Sequence, residues 1–238
     1  MSDIILSQAK ISGLPRGLHE GKELELRPIN YLFGANGSGK TLSLKCITKQ
    51  AKNKIREARL NEKGYFAQYI TATPQQNFYQ DQFPFLDQMA SDFDLGSDDI
   101  TGQGFYQHLQ DFPEIIIKVR DALQKYLGRY PNMIRRGTNN VMSFLREEED
   151  FPAYSPQQES DGLRRLSLLL SYIYHPKCKF LAIDEPELFL HPDMISFILE
   201  EIQSEIANDK QFALVTHSPE MIRICQVPLS LDIFSRTM

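Results

Sequence analysis

At 238 residues, 42% hydrophobic and 24% charged, the chain suits one ordinary domain with a sizeable core and is too short for two full-sized ones. Its greasiest run, Leu166 to Tyr174, is short and interrupted by Ser167 and Ser171, and Met1-Ser2-Asp3-Ile4-Ile5-Leu6 has no basic segment ahead of an apolar core, so neither a membrane span nor a secretory signal is supported. The net charge of −5 is uneven, because residues 76 to 160 hold 14 acids against 7 bases and leave the rest at +2, which argues against a chain-wide basic footprint for nucleic acid.

Residues 4 to 14 and 23 to 33 read as two strands around the turn Leu14-Pro15-Arg16-Gly17, with Glu23-Leu24-Glu25-Leu26 alternating at period 2. Together they form a small antiparallel β-layer at the N-terminus. A Gly-rich turn follows at Gly34, and from Lys40 to about Arg59 the chain has good helix formers with no Pro or Gly. Gly64 to Ala72 reads as a strand, ended by Thr73-Pro74-Gln75-Gln76. From 77 to 158 the reading is a mostly helical inserted subdomain, with loops marked by Gly96, Gly102, Gly104, Pro113, Pro131, Pro152 and Pro156. A helix from Asp161 to Tyr174, a strand Phe180 to Ile183, a helix from about Pro192 to Ala207 and a strand Phe212 to Val215 complete an alternating α/β pattern. The expected architecture is a single domain, 1–238, with a mainly parallel sheet, flanking helices and the insertion at 77–158.

Gly34-Ala35-Asn36-Gly37-Ser38-Gly39-Lys40-Thr41 fits GxxxxGK[ST] between the strand ending in Tyr31-Leu32-Phe33 and a helix. Glycines let successive N–H groups face a phosphate, and the helix adds the positive end of its dipole. Lys40 is then expected to reach the β/γ-phosphates of ATP and the Thr41 hydroxyl to ligate Mg²⁺. Downstream, the apolar strand at 180 to 183 delivers Asp184 and Glu185 at its C-terminal end, where ligands lie in an open α/β sheet. Asp184 is expected to contact Mg²⁺ and Glu185 to polarise the attacking water. Glu187 and Glu200 read as solvated helix carboxylates.

Asn36 to Lys40, Ser160-Asp161-Gly162, Asp184-Glu185-Pro186-Glu187-Leu188-Phe189-Leu190-His191-Pro192 and Thr216-His217-Ser218-Pro219 stand in this order, and the set resembles the ABC-type class of P-loop ATPases. Its DEPE-x-x-LHP and THSP forms resemble the ATPases grouped with the overcoming-lysogenization-defect, RecF and SMC proteins more than transporter cassettes. The resemblance implies that Ser160 and Gly162 belong to a signature segment presented to a nucleotide on the opposite subunit, and that His217 contacts the γ-phosphate. Local physics agrees for Ser160, a good N-cap for the helix beginning at Asp161. The family's Mg²⁺-contacting glutamine falls at Gln75 or Gln76, with Gln68 competing, and His191 is either structural or part of a subunit contact. Asp161 stands where the transporter form has glycine, which disfavours that reading.

The resemblance implies an ATP-sandwiched, head-to-tail homodimer, an ATPase that controls a separate effector or regulatory chain, by analogy in bacterial anti-phage defence or DNA maintenance. The alternatives are a transporter's nucleotide-binding subunit and a nucleotide-switched binding module with little turnover. Only 118 residues separate Thr41 from Ser160, too few for an SMC-type coiled coil, and 21 residues follow His217, so nuclease or other effector chemistry is expected from another chain. Lys45, Lys49, Lys52, Arg56 and Arg59 form a basic stripe, read first as a solvated face flanking Leu44, Ile47, Ala51 and Ile55, with weak DNA binding as the alternative. Arg16 either lies over the adenine or is a solvated turn arginine, the usual state of such a residue. His19, His108 and His175 have no metal-site spacing, and three distant cysteines, Cys46, Cys178 and Cys225, fit a reducing cytoplasm.

Overall fold

The alternating Gln8–Lys10 (β1) and Glu23–Glu25 (β2) pair antiparallel, with Ala9 opposite Leu24. Both of these residues are buried while their charged or polar neighbours face out, as period-2 alternation requires. The computed structural model describes residues 5–11, 23–34, 37–70, 112–136, 139–146, 153–154, 158–218, 221 and 232–234. The single strand expected over 23 to 33 is in fact two. Pro28 has no N–H for a ladder, and the Arg27 N–H donates to Asn30 Oδ1 at 2.8 Å while Asn30 Nδ2 donates back to the Arg27 carbonyl at 2.6 Å. The turn so formed separates β2 from Ile29–Gly34 (β3), which belongs to a different sheet.

The chain divides into two compact units. The first comprises Met1–Thr73, Asp92–Leu95 and Pro176–Met238. After β3 it continues through the helix Lys40–Glu57 (α1), a 3₁₀ turn at Leu60–Lys63 and the strand Phe66–Ile70 (β4).

The second unit comprises Pro74–Ser91 and Gly96–His175. Its helix Pro113–Leu127 (α2) buries the stripe Ile115, Val119 and Leu123 and stops at Gly128, whose φ of +62° suits glycine. A hairpin follows, Arg129–Arg136 (β5) against Asn139–Arg146 (β6), in a stretch read from sequence as mostly helical. The register closes with Arg136 opposite Asn139, so two residues, Gly137-Thr138, connect the strands. Glycine first in a two-residue connection, between segments holding Tyr130, Ile134, Val141 and Phe144, is a hairpin signal that outweighs the helical composition. The unit ends with the helix Asp161–Ile173 (α3), in which Leu163, Leu166, Leu169, Leu170 and Ile173 are buried.

Back in the first unit, Cys178–Asp184 (β7), the helix Pro192–Ile206 (α4), Gln211–Thr216 (β8) and Asp232–Phe234 (β9) complete a five-stranded, entirely parallel sheet in the order β4-β7-β8-β3-β9. β9 was not read from the sequence. It is three residues long and pairs Asp232 to Phe234 with Leu32 to Gly34. Every residue of β8 is buried, as a central parallel strand demands. Leu32, Ala67, Phe180, Ala182, Ala213 and Val215 form a core with Leu44, Ile47, Ala51 and Ile55 of α1 and with Ala9, Ile11, Leu24 and Leu26. Truncating Ile47 to Ala there costs about 2–5 kcal/mol. Adjacent strands β3 and β8 send the chain to opposite edges of the sheet, β3 on to β4 and β8 on to β9. Their carboxyl ends therefore border a topological switch point.

Candidate functional site

The loop between β3 and α1 ends in two left-handed glycines, Gly37 at φ 75° and Gly39 at φ 88°. Gly39 is the N-cap of α1, so no side chain caps the helix, and its first turn holds no acid. A helix start with no capping side chain and no acid in its first turn is matched to an anion, which the aligned N–H groups and the dipole both favour. Lys40 lies 4% exposed, its Nζ donating to the Gly34 carbonyl at 2.8 Å and to Ser38 Oγ at 3.4 Å. Burial lowers its pKa, against the pull of the Asp184 and Glu185 carboxylates, which favour the charged form. Thr41 is exposed at the mouth of the helix.

Asp184, 4% exposed, ends β7 on the same face as Phe180 and Ala182, the face covered by α1. Tyr69 of neighbouring β4 donates its phenolic O–H to Asp184 Oδ2 at 3.1 Å. Lys45 of α1 stands 5.4 Å above the Tyr69 ring. Sequence reading missed Tyr69, although its pairing with Ala182 follows once β4 and β7 are adjacent. The exposed Thr41 hydroxyl and the buried Asp184 carboxylate held by a phenol are oxygen donors of the kind Mg²⁺ takes.

Glu185 turns the chain with φ of +49°, a strained value for a non-glycine residue, and its N–H is fixed to the Val215 carbonyl of β8 at 2.8 Å. Its Oε1 lies 3.4 Å from His217 Nε2, both side chains about one-third exposed. The two residues assigned to water and γ-phosphate chemistry are thus neighbours. Glu187, read as a solvated helix carboxylate, lies outside α4 in the turn that precedes it. Its Oε1 accepts from Thr216 Oγ1 at 2.6 Å, from the His217 N–H at 2.9 Å and from the Ser218 N–H at 3.2 Å. Glu200 is exposed on α4, as expected. His191 caps α4, its Nδ1 accepting from the Asp193 N–H at 3.4 Å, which is the structural of its two readings.

In the second unit, Ser160 is the N-cap of α3, its Oγ accepting from the Leu163 N–H at 3.3 Å, with Asp161 exposed and Gly162 partly so. Beside it, Glu159 is buried and accepts from the Ser160 N–H at 2.8 Å and from Tyr154 Oη, with Arg129 at 3.4 Å. Burial alone would raise its pKa, but the Tyr154 and Ser160 hydrogen bonds and the Arg129 charge outweigh it and hold the carboxyl below its usual range. Phe112 packs against His175 with ring centroids 4.8 Å apart and the rings tilted by 54°, so that histidine is a packed residue.

Ala35, Asn36, Gln75, Gln76, Arg16, His19, His108 and Cys225 lie outside the described residues. Gln68 is buried on the strand face opposite Tyr69 and donates to the Tyr69 carbonyl, which turns it away from Asp184. The basic stripe is a solvated face over Lys45, Lys49 and Arg56, but α1 ends at Glu57 and Arg59 sits beyond it at φ +53°. Among the described residues burial pushes the Cys178 thiol up to about 12, and no helix is long and apolar enough to cross a membrane.

Comparison with known proteins bears on the fold. An SMC head bound to the C-winged helix domain of ScpA superposes with a TM-score of 0.56 at 11% identity, over 92% of this chain and 91% of that one. A nucleotide-free ATP-binding cassette from an ABC transporter gives 0.51 at 15% identity, over 91% and 81%. The ATP-binding subunit of another ABC transporter gives 0.50 at 18% identity, over 88% and 78%. No curated protein matches the sequence significantly. The family model described as "AAA domain, putative AbiEii toxin, Type IV TA system" matches residues 103–223, a segment that takes in Ser160, Asp184, Glu185 and His217 and covers half of the chain. With the phosphate loop at the mouth of α1 and two carboxylates at the end of β7, the chain belongs to that AAA-domain family and has the fold of an ABC-type P-loop ATPase.

Proposed function

We propose that this protein binds Mg-ATP at the β3–α1 loop, hydrolyses it, and does so as a head-to-tail homodimer in which Ser160 and Gly162 of each subunit meet the nucleotide of the other. The observation that carries the reading is the meeting of a buried Lys40 at an uncapped helix start with Asp184 and the Glu185–His217 pair at the end of the same sheet. Gly34 to Thr41 would hold the phosphates, Thr41 and Asp184 the metal, joined by Gln75 from the segment after β4. Magnesium, when bound, offsets the charge of the β- and γ-oxygens.

Glu185 orients a water and draws its proton, His217 donates to the γ-oxygen, and Lys40 offsets charge on the bridging side. The dimer's opening and closing acts on a separate effector chain in the cytoplasm, in bacterial defence or DNA maintenance. Calorimetric titration with a non-hydrolysable ATP analogue tests the site. Lys40→Ala is expected to abolish binding, because the compensating charge is lost from a loop otherwise made of backbone dipoles. Unchanged affinity in that variant overturns the assignment.

A further inference from the structure

Between the strand that carries Asp184 and the helix α4, the chain folds back instead of running straight on. Glu185 and Phe189 adopt left-handed φ values of 49° and 66°, while the Leu188 N–H donates to the Glu185 carbonyl at 3.1 Å and the Leu190 N–H to the Glu187 carbonyl at 3.0 Å. These turns return the Glu187 side chain to the exit of β8. There the parallel ladder runs out, since Thr216 is the last β8 residue paired with β3. The next backbone donors, on His217 and Ser218, both go to Glu187 Oε1, which also takes the Thr216 hydroxyl; the Ser218 N–H is shared with Thr216 Oγ1 at 3.0 Å.

Three donors on one charged oxygen make a strong and directional anchor. The second oxygen, Oε2, is buried and makes no hydrogen bond among the described residues. Such burial costs free energy, so the carboxylate is ill placed for a role in solubility alone. What it fixes is the backbone from which the His217 ring projects. That ring is one-third exposed and reaches Glu185 Oε1 only at 3.4 Å, so its main chain largely sets its position.

We propose that Glu187 is the residue that positions His217 against Glu185. Its carboxylate binds the loop and acts through the imidazole, so its loss displaces the ring without removing it. This inference rests on the ATPase reading. A displacement of about 1 Å at a reacting group lowers turnover on the order of 10²-fold.

The test compares the parental chain with Glu187→Ala, Glu187→Gln, His217→Ala and the Glu187→Ala/His217→Ala double variant at saturating Mg-ATP. The expected result is a fall in kcat of about 10²-fold for Glu187→Ala with KM for ATP little changed, and a double variant no slower than His217→Ala alone. Glu187→Gln, which keeps an acceptor oxygen in place, recovers most of the lost turnover. Losses that multiply in the double variant, or a Glu187→Ala defect confined to ATP binding, overturn the proposal.

A second readout needs no turnover. In histidine-labelled protein the His217 ring resonance, assigned with His217→Ala, is expected to move on Glu185→Gln in the parental background and to stay put in Glu187→Ala. Equal movement in both backgrounds overturns the positioning role. Absence of ATP hydrolysis by the parental chain, by contrast, overturns only the ATPase reading.

Discussion

Asp184 is a buried acid that accepts a hydrogen bond from a phenol. Tyr69 donates to Oδ2, so Tyr69→Phe removes one hydrogen bond that orients the carboxylate proposed to hold magnesium. Losing a group that orients a metal ligand typically costs 10- to 100-fold in metal affinity or activity, and we expect the magnesium concentration for half-maximal ATP turnover to rise by about that factor. A magnesium titration in which parental and variant curves coincide would remove Tyr69 from the site. Glu185→Gln acts at the same strand end but on a different step. It keeps the shape of the left-handed turn and removes the proposed base, so Mg-ATP is expected to stay bound and unhydrolysed while turnover falls by about 10²–10⁴-fold. Single-turnover measurement with radiolabelled ATP checks it, and parental turnover would mean that another group orients the water.

Helix α3 begins where a buried carboxylate meets a serine N-cap, and the pair explains why the segment at 159 to 162 has a fixed shape. Glu159 is held below its ordinary pKa in the folded chain, so it adds stability above that ordinary value, 4.5, and the stability is lost as pH falls through the lower folded value. Glu159→Gln removes the charge and keeps one acceptor oxygen, the other becoming an NH2 donor. At pH 7 we expect a loss of about 1.5–3 kcal/mol, the worth of hydrogen bonds to a buried charged group. The gap between parental and variant should close as pH drops below 4.5. Chemical denaturation of both proteins at pH 7 and at pH 3.5 measures it, and a gap that persists undiminished at the lower pH would show that folding does not lower the Glu159 pKa. Propensity and punctuation made α1, α3 and α4 legible to within one or two residues. The β5–β6 hairpin was not, because its signal is a two-residue connection inside a stretch whose composition favours helix.

At the scale of the assembly, Ser160 has a proposed use beyond capping. If the start of α3 meets a nucleotide held by a second copy, Ser160→Arg puts a bulky cation where a γ-phosphate must approach a helix start, and should leave ATP binding intact while abolishing ATP-dependent dimerisation. Light scattering with ATP in a Glu185→Gln background reads this. A dimer that survives the arginine would leave Ser160 as a helix cap. The chain is also expected to cleave no DNA, since Thr41, Asp184 and Glu185 are proposed to serve a single Mg-nucleotide. Incubation with labelled single- and double-stranded DNA, ATP and Mg²⁺ or Mn²⁺ decides it. Cleavage lost in Asp184→Ala but kept in Lys40→Ala would reveal a nuclease sharing the site.

Chemistry that depends on contiguous residues was written in the chain itself. GxxxxGK[ST] after an apolar strand, two carboxylates at the end of another and a serine before a leucine-rich helix are local patterns, because backbone conformation and capping are settled within a few residues. Three features needed the folded sheet. Tyr69 meets Asp184 only because β4 lies beside β7, and His217 meets Glu185 only because β8 lies beside β7. Glu187 reaches the end of β8 only because two left-handed turns fold the chain back, whereas its sequence neighbours read as the start of a solvated helix. Contacts between strands far apart in sequence follow from strand order, and no local propensity encodes that order.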